Sequence, residues 1–314
     1  MLGRTANGVF WMFRYLERAE NTARLLEAGF RMALTRDADT SQEEWRSVIV
    51  TAGQRAAYEA KNGTYTGIQV FNWVLRDKAN EANVLRMIEL ARTNARMVRA
   101  GLTREVWEAT NETWMHLSEV LSRPVRESTL GNVLDLIRRQ STLVRGAMDG
   151  TMLRNEIYNF ARLGKFIERA DNTARILDVK YYVLLPSVSY VGSSLDNVQW
   201  DNVLRSVSAE RAYRWLNAGR MDPRSIAEFL ILDGRFPRSL AFCYTKVRSN
   251  LLSLSRDYGN STPCHALLDE ADARLRHGSI EEIFDNGLHE FIGGFLARNQ
   301  AIAAQIQRDY RFTE

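Results

Sequence analysis

The sequence is poor in three residue types on which many secreted proteins and metalloenzymes depend. Among its 314 residues there are two cysteines, four histidines and five prolines. Cys243 and Cys264 lie far apart without CxxC spacing, which excludes a disulfide-rich scaffold and indicates reduced thiols in a reducing compartment. Cys243 lies in an apolar run and is expected to be an inert core thiol. The scarcity of proline favours long, uninterrupted helices.

The motifs that hold nucleotides and metals are also missing. A P-loop needs GxxxxGK[ST], but Asn159 stands where Gly164-Lys165 would require the upstream glycine. Neither a GxSxG elbow nor an HExxH helix occurs. A di-iron bundle uses Glu-x-x-His pairs, whereas the two comparable segments here, ERAE at residues 17–20 and ERAD at residues 168–171, end in an acid. We therefore expect no cofactor and no bound metal.

Long hydrophobic runs are absent as well. The apolar run at residues 9–13 is too short for the core of a signal peptide, and a charged segment follows it. No stretch reaches the roughly 18 apolar residues that a membrane span requires. The sequence therefore predicts a cytoplasmic protein without a membrane partner.

Charge is nearly balanced, with 42 basic against 38 acidic residues, and arginine outnumbers lysine by 37 to five. A net charge of +4 argues against nucleic acid as a partner. Arginines nevertheless cluster in two segments and could form a phosphate or nucleic-acid track, although charge pairing on helix surfaces is the simpler interpretation. These arginines are Arg92, Arg96, Arg99 and Arg104, then Arg205, Arg211, Arg214, Arg220 and Arg224.

One thirteen-residue segment occurs twice. YLERAENTARLLE at residues 15–27 returns as FIERADNTARILD at residues 166–178, with eight identical positions and conservative changes elsewhere. Both copies are rich in helix-forming residues and contain neither glycine nor proline. Internal repetition on this scale predicts a duplicated architecture.

On a helix, each copy places two acids, an amide and an arginine on one face, at i, i+3, i+4 and i+7, with a second arginine at its border. The candidate residues are Glu17, Arg18, Glu20, Asn21 and Arg24 in the first copy, and Glu168, Arg169, Asp171, Asn172 and Arg175 in the second. A solvated face with weak ion pairs would explain the pattern. Since a solvated face need not keep Asn and Arg at fixed offsets, we favour a buried or interfacial polar network, with both stripes facing each other or one shared groove.

The internal repetition extends beyond the thirteen-residue segment. Trp45 precedes Tyr58 by thirteen residues, as Trp200 precedes Tyr213. No segment shows strand alternation bounded by turns. The sequence predicts an all-α helical bundle, a single domain over residues 1–314, built from tandem pseudo-repeats of about 1–151 and 152–314. Among its elements we expect helices at residues 6–33 and 43–60, a helix opened by Phe236-Pro237, and a long loop at residues 186–197.

The same residues carry a family resemblance. The N-terminal segment, with Ala6-Asn7, Phe10-Trp11 and the run RYLERAENTAR at residues 14–24, resembles the bacterial alpha-E family, a helical domain of unknown function with a conserved ER motif. The resemblance runs nearly end to end. It implies partners, because alpha-E proteins typically stand beside, or fused to, a circularly permuted ATP-grasp ligase and a transglutaminase-like protein.

Two hypotheses about function follow. The resemblance implies an accessory or scaffold subunit that binds the ligase or its peptidic substrate in a pathway that forms amide bonds. The alternative is an enzyme of that pathway with Glu17 and Glu168 as acid and base. A carboxylate buried beside arginine normally has a lowered pKa, which suits ion pairing better than proton transfer.

Overall fold

The computed structural model describes residues 3–34, 38–182, 194–217 and 221–313, and every regular element in these ranges is helical. The helices are α1 (Gly3–Ala33), α2 (Ala38–Thr51), α3 (Arg55–Glu59), α4 (Gly67–Leu75), α5 (Val84–Met97), α6 (Arg104–Val120), α7 (Glu127–Thr151), α8 (Glu156–Tyr182), α9 (Ser194–Ser206), α10 (Glu210–Leu216), α11 (Pro223–Ile231), α12 (Leu240–Tyr258), α13 (Pro263–His277), α14 (Ile280–Asp285) and α15 (Leu288–Asp309), with a 3-10 turn at Arg99–Gly101. The all-α prediction is confirmed.

The two motif-bearing helices, α1 and α8, pack against each other at the centre of the bundle. Their backbones meet at Gly164, where a Cβ atom would lie 2.2 Å from the carbonyl oxygen of Phe10. Glycine is therefore the residue that lets the helices approach this closely. Around the contact, large apolar side chains such as Phe13, Phe160 and Leu26 are buried.

The neighbours of α1 and α8 follow the same order. Helix α1 packs against α2, α5 and α7, while α8 packs against α9, α12 and α15. The outer pairs α5–α6 and α12–α13 correspond as well. Each of the two central helices also contacts a helix from the other side of the bundle: α1 contacts α9, and α8 contacts α2. This arrangement brings residues distant in sequence onto the α1–α8 contact, while the tandem duplication itself stays a prediction.

Helix boundaries differ from the predictions at three places. Residues 43–60 are not one helix, because Gly53 adopts a left-handed φ of 69° and separates α2 from α3. Phe236-Pro237 does not open α12, since the Ser239 side chain accepts from the backbone N–H of Phe242 and begins the helix at Leu240. Of the predicted loop at residues 186–197, residues 186–193 lie outside the described residues, and the rest begins α9.

Neither thiol is poised for chemistry. Cys243 and Cys264 are buried, and burial raises the pKa of each to about 12. Within the described ranges, no helix combines the length and apolarity needed to cross a bilayer.

Candidate functional site

The two ER motifs bind each other. Arg169 donates two hydrogen bonds to the Glu17 carboxylate, at 2.7 and 3.0 Å. Arg18 donates two to the Glu168 carboxylate, at 2.5 and 2.9 Å. Each Glu-Arg dipeptide thus gives its acid to the arginine of the other helix, through the two-pronged geometry that guanidinium and carboxylate groups favour. This reciprocal exchange joins α1 to α8.

The first site surrounds the acids of α1, and we call it the closed site. Its members are Glu17, Glu20, Asn21, Arg24, Arg145, Arg169 and Arg238. Glu20 is fully buried and accepts hydrogen bonds from Arg24 at 2.8 and 3.0 Å, from Arg238 at 2.6 Å and from Arg145. Two carboxylates here face four guanidinium groups.

Asn21 completes the closed site. Its Oδ1 accepts from Arg238 at 3.0 Å, and its Nδ2 donates to the backbone carbonyl of Glu168 at 3.4 Å. The amide therefore links α1 to α8 and to the segment before α12.

The second site surrounds the acids of α8, and we call it the open site. Its members are Arg14, Arg18, Glu168, Asp171, Asn172 and Arg175. Glu168 accepts from Arg14 at 3.0 Å in addition to Arg18, and Asp171 accepts from Arg175 at 2.7 Å. Among the described residues, nothing donates to Oδ1 of the buried Asn172.

Burial distinguishes this arrangement from a solvated helix face. Glu17, Glu20 and Glu168 are 2%, 0% and 3% exposed. Asp171 and Arg175 retain more contact with solvent, at 15% and 32% of their side chains. The stripe residues of both helices are thus brought together at one interface, the first set more deeply than the second.

The electrostatics follow from this burial. Burial disfavours ionisation of Glu17, but the surrounding Arg169, Arg238 and Arg145 outweigh it and hold the pKa of Glu17 well below 4.5. Burial and the flanking arginines act on Glu168 in the same way, with the same net lowering of its pKa. Both groups are carboxylates at neutral pH and have no proton to donate.

Asp171 behaves differently. Burial, followed by the neighbouring Glu168 carboxylate, raises its pKa above 3.8, although Arg175 acts in the opposite direction. The open site therefore compensates the charge of Asp171 incompletely.

Three residues that complete these sites were not predicted. Arg14, Arg145 and Arg238 come from α1, from α7 and from the turn before α12. Arg14 precedes the motif on the same helix and could have been included. Arg145 and Arg238 carry no comparable signal, because only the packing of α7 and α12 brings them to the acids.

A cavity of about 300 Å³ adjoins the open site. Thr51, Gly53 and Ala82 line it, opposite Asp171, Asn172 and Arg175 of α8. A neighbouring groove of about 1010 Å³ shares Arg18, Ala82 and Met87 with the cavity. The open site is thus continuous with a larger surface depression.

Elsewhere, the arginine clusters have local partners. Arg92 and Arg99 lie over the rings of Trp114 and Trp107, at 4.2 and 5.2 Å from the ring centroids. Arg205 and Arg214 both pair with Asp201. These contacts favour surface pairing over a continuous phosphate track, while Arg220 lies outside the described residues. In the part of the chain that the structure describes, no cluster of His, Cys, Asp and Glu could hold a metal ion.

Comparison with known proteins gives relatives but no function. Proteins of Mycobacterium bovis and Mycobacterium tuberculosis, each called uncharacterized, are similar at 25% and 24% identity over 94% of this chain. The chain spans only 35% of the length of either relative. No solved structure matches. A family model, described as a predicted alpha-helical domain with a conserved ER motif, matches residues 1–310. The chain therefore belongs to the alpha-E family.

Proposed function

We propose that this chain is a helical accessory or scaffold subunit in a pathway that makes or modifies peptide-like amide bonds. Its partners would be an ATP-grasp-type ligase and a transglutaminase-like protein, in the cytoplasm. The observation that carries the proposal is the reciprocal pairing of the ER motifs, because it commits the chain's most distinctive polar residues to holding α1 against α8.

The size of the relatives supports a role beside another polypeptide. The region that matches this chain accounts for 35% of each mycobacterial protein, so most of each relative lies outside that region. A helical unit joined to a longer chain is suited to positioning a partner or its substrate. The ligase and the transglutaminase-like protein come from the family resemblance alone.

The alternative is catalysis by Glu17 and Glu168. A general acid or base works best when its pKa lies near the operating pH. Both carboxylates instead have pKa values lowered by two or more arginines. The arginines that bind these two carboxylates thus favour the scaffold hypothesis over the enzyme hypothesis.

We also propose that the halves are tandem copies of one helical unit, about 1–151 and 152–314. Equivalent helix starts support this, since Asn83 caps α5 and Ser239 caps α12, 156 positions apart. The turns after α2 and α9 agree as well: Gly53 and Ser208 both have positive φ, 69° and 56°. The recurring order of helix neighbours is the third support.

Co-purification tests the scaffold proposal. The tagged chain is expressed with its ATP-grasp and transglutaminase-like neighbours, and the eluate is analysed by size-exclusion chromatography and mass spectrometry. We expect a stoichiometric complex, and no ATP hydrolysis by the chain alone. Elution as a free chain that turns over a substrate by itself would overturn the proposal.

A matched pair of variants makes the test sharper. Arg18→Ala removes a partner of the buried Glu168, whereas Arg104→Ala removes a partner of the exposed Glu108 on α6. If the motif acts as a frame, the complex should weaken with Arg18→Ala only in proportion to its loss of stability. Loss of turnover with unchanged stability and unchanged assembly would favour the enzymatic alternative.

A further inference from the structure

The closed and open sites differ at one residue of the turn that approaches them. The turns before α5 and α12 are built alike: the backbone N–H of Ala79 donates to Asp77 at 3.0 Å, and that of Arg235 donates to Asp233 at 2.7 Å. Each turn ends at the capping residue of the next helix. The residue just before that cap is Ala82 in the first turn and Arg238 in the second.

Arg238 fills the closed site from within the chain. Its guanidinium donates to Glu20 at 2.6 Å, to Oδ1 of Asn21 at 3.0 Å and to Glu17 at 3.3 Å. Ala82 has no group that can do this for the open site. The corresponding acceptor, Oδ1 of Asn172, has no donor among the described residues although Asn172 is 8% exposed. An unsatisfied buried acceptor is costly and calls for a donor.

A second difference enlarges the open site. In the closed site, Arg24 donates to the hydroxyl of Ser208 at 2.6 Å. The equivalent turn carries Gly53, and even a Cβ atom there would lie 4.0 Å from Nη1 of Arg175. Within the described ranges, only Nε of Arg175 makes a hydrogen bond, to Asp171. Its two terminal nitrogens can therefore serve a ligand oxygen.

Ala82 and Gly53, which stand where the closed site has Arg238 and Ser208, both line the cavity of about 300 Å³. This volume is at the lower end of typical ligand pockets. Thr51, whose buried hydroxyl also has no partner among the described residues, lies on its wall. As far as the described residues go, the cavity thus presents an acceptor amide, a carboxylate with a single donor, and a partly free guanidinium. In the closed site, Arg238 and Ser208 bind the corresponding groups.

We propose that the open site binds an amino acid or short peptide whose guanidinium or protonated amino group takes the place that Arg238 holds in the closed site. The cation donates to Asp171 and to Oδ1 of Asn172, and an oxygen of the same ligand accepts from Arg175. The adjoining groove of about 1010 Å³ accommodates the rest of a longer ligand. This deepens the proposed function by naming a substrate class, and it rests on the correspondence of the two sites rather than on any partner protein.

Titration calorimetry with L-arginine and its uncharged analogue L-citrulline tests the proposal. The parent chain is expected to bind arginine, and to bind citrulline at least tenfold more weakly, because the analogue has a similar shape without the charge. Equal binding of both, or no binding of arginine at millimolar concentration, overturns the proposal.

Two variants of the same turn locate the site. Ala82→Arg supplies the missing guanidinium from within the chain and is expected to abolish arginine binding. Ala79→Arg places the same side chain at an exposed position of that turn and should leave binding unchanged. Unaltered binding by Ala82→Arg contradicts the proposal. If Ala82→Arg does not fold, Asp171→Asn replaces it, with a loss of at least tenfold in affinity expected.

This experiment is independent of the scaffold assignment. If the chain binds arginine but forms no complex with the ligase, the binding-site proposal is supported and the scaffold proposal is contradicted. If the chain forms the complex but binds no cationic probe, the scaffold proposal is supported and the binding-site proposal is contradicted.

Discussion

At the scale of single residues, the buried carboxylates carry the largest energetic consequences. Glu168 is 3% exposed and accepts hydrogen bonds from both Arg14 and Arg18. Glu168→Gln keeps the shape but removes the charge, leaving the buried Arg14 and the half-buried Arg18 without their carboxylate partner. We expect a loss of about 3–5 kcal/mol in the free energy of unfolding.

Chemical denaturation measures this loss, and Glu108→Gln is its control. Glu108 also pairs with an arginine, but its side chain is 55% exposed. Exposed pairs contribute little, so the control should unfold like the parent. Equal midpoints for all three proteins would place the Glu168 pair among ordinary surface contacts.

Sequence reasoning reached these residues only in part. The repeat identified Glu17, Asn21, Glu168 and Asn172, because residues kept at the same offsets in two copies of a helix share a face. It placed the arginine of each ER dipeptide at the border of the stripe, and it did not predict that each arginine binds the glutamate of the other helix. A single helix cannot reveal this, because the partner acid lies on the other helix.

At the scale of elements, the close approach of α1 and α8 depends on Gly164. A methyl group there would meet a backbone carbonyl of α1 at 2.2 Å, and a backbone atom cannot move aside as the end of a side chain can. Gly164→Ala should therefore push the helices apart and cost about 1–3 kcal/mol.

A glycine on α7 provides the control. Nothing lies within 4 Å of a Cβ atom at Gly146, an exposed position within that helix. Gly146→Ala should stabilise the chain by up to about 1 kcal/mol, because alanine has the higher helix propensity. Thermal melts of both variants decide the matter, and a Gly164→Ala protein at least as stable as Gly146→Ala would contradict the packing described for α1 and α8.

Helix existence was easier to predict than helix boundaries. The long amphipathic segment at residues 6–33 gave α1 nearly in full, because its apolar periodicity extends over many turns. The break between α2 and α3 was missed, since the turn at Gly53 is set by its backbone conformation, and a lone glycine inside a helical pattern does not reveal that.

At the scale of the whole molecule, the buried acids predict how stability depends on pH. The folded pKa values of Glu17 and Glu168 lie below their ordinary value of 4.5. Their contribution is complete above that pH and is lost as the pH falls from 4.5 toward the folded values, because the unfolded chain then takes up protons first. The raised pKa of Asp171 has the opposite effect on stability. It concerns one group, however, whereas two groups have lowered pKa values.

Denaturation of the parent and of Glu168→Gln from neutral pH to about pH 3 isolates this effect. The stability difference between the two proteins should shrink on acidification below 4.5, because protonation of Glu168 in the unfolded parent stabilises that state, whereas the variant has no such group. A difference that stays constant or grows would mean that Glu168 is not ionised preferentially in the folded state.

The central claim is that the two ER motifs hold each other across the α1–α8 interface, and a double-mutant cycle on Glu17 and Arg169 tests it most directly. The unfolding free energies of Glu17→Gln, Arg169→Gln and the double variant are compared with that of the parent. The two hydrogen bonds of 2.7 and 3.0 Å predict a coupling energy of about 2 kcal/mol or more. Additive effects, with a coupling within about 0.5 kcal/mol of zero, would contradict the claim.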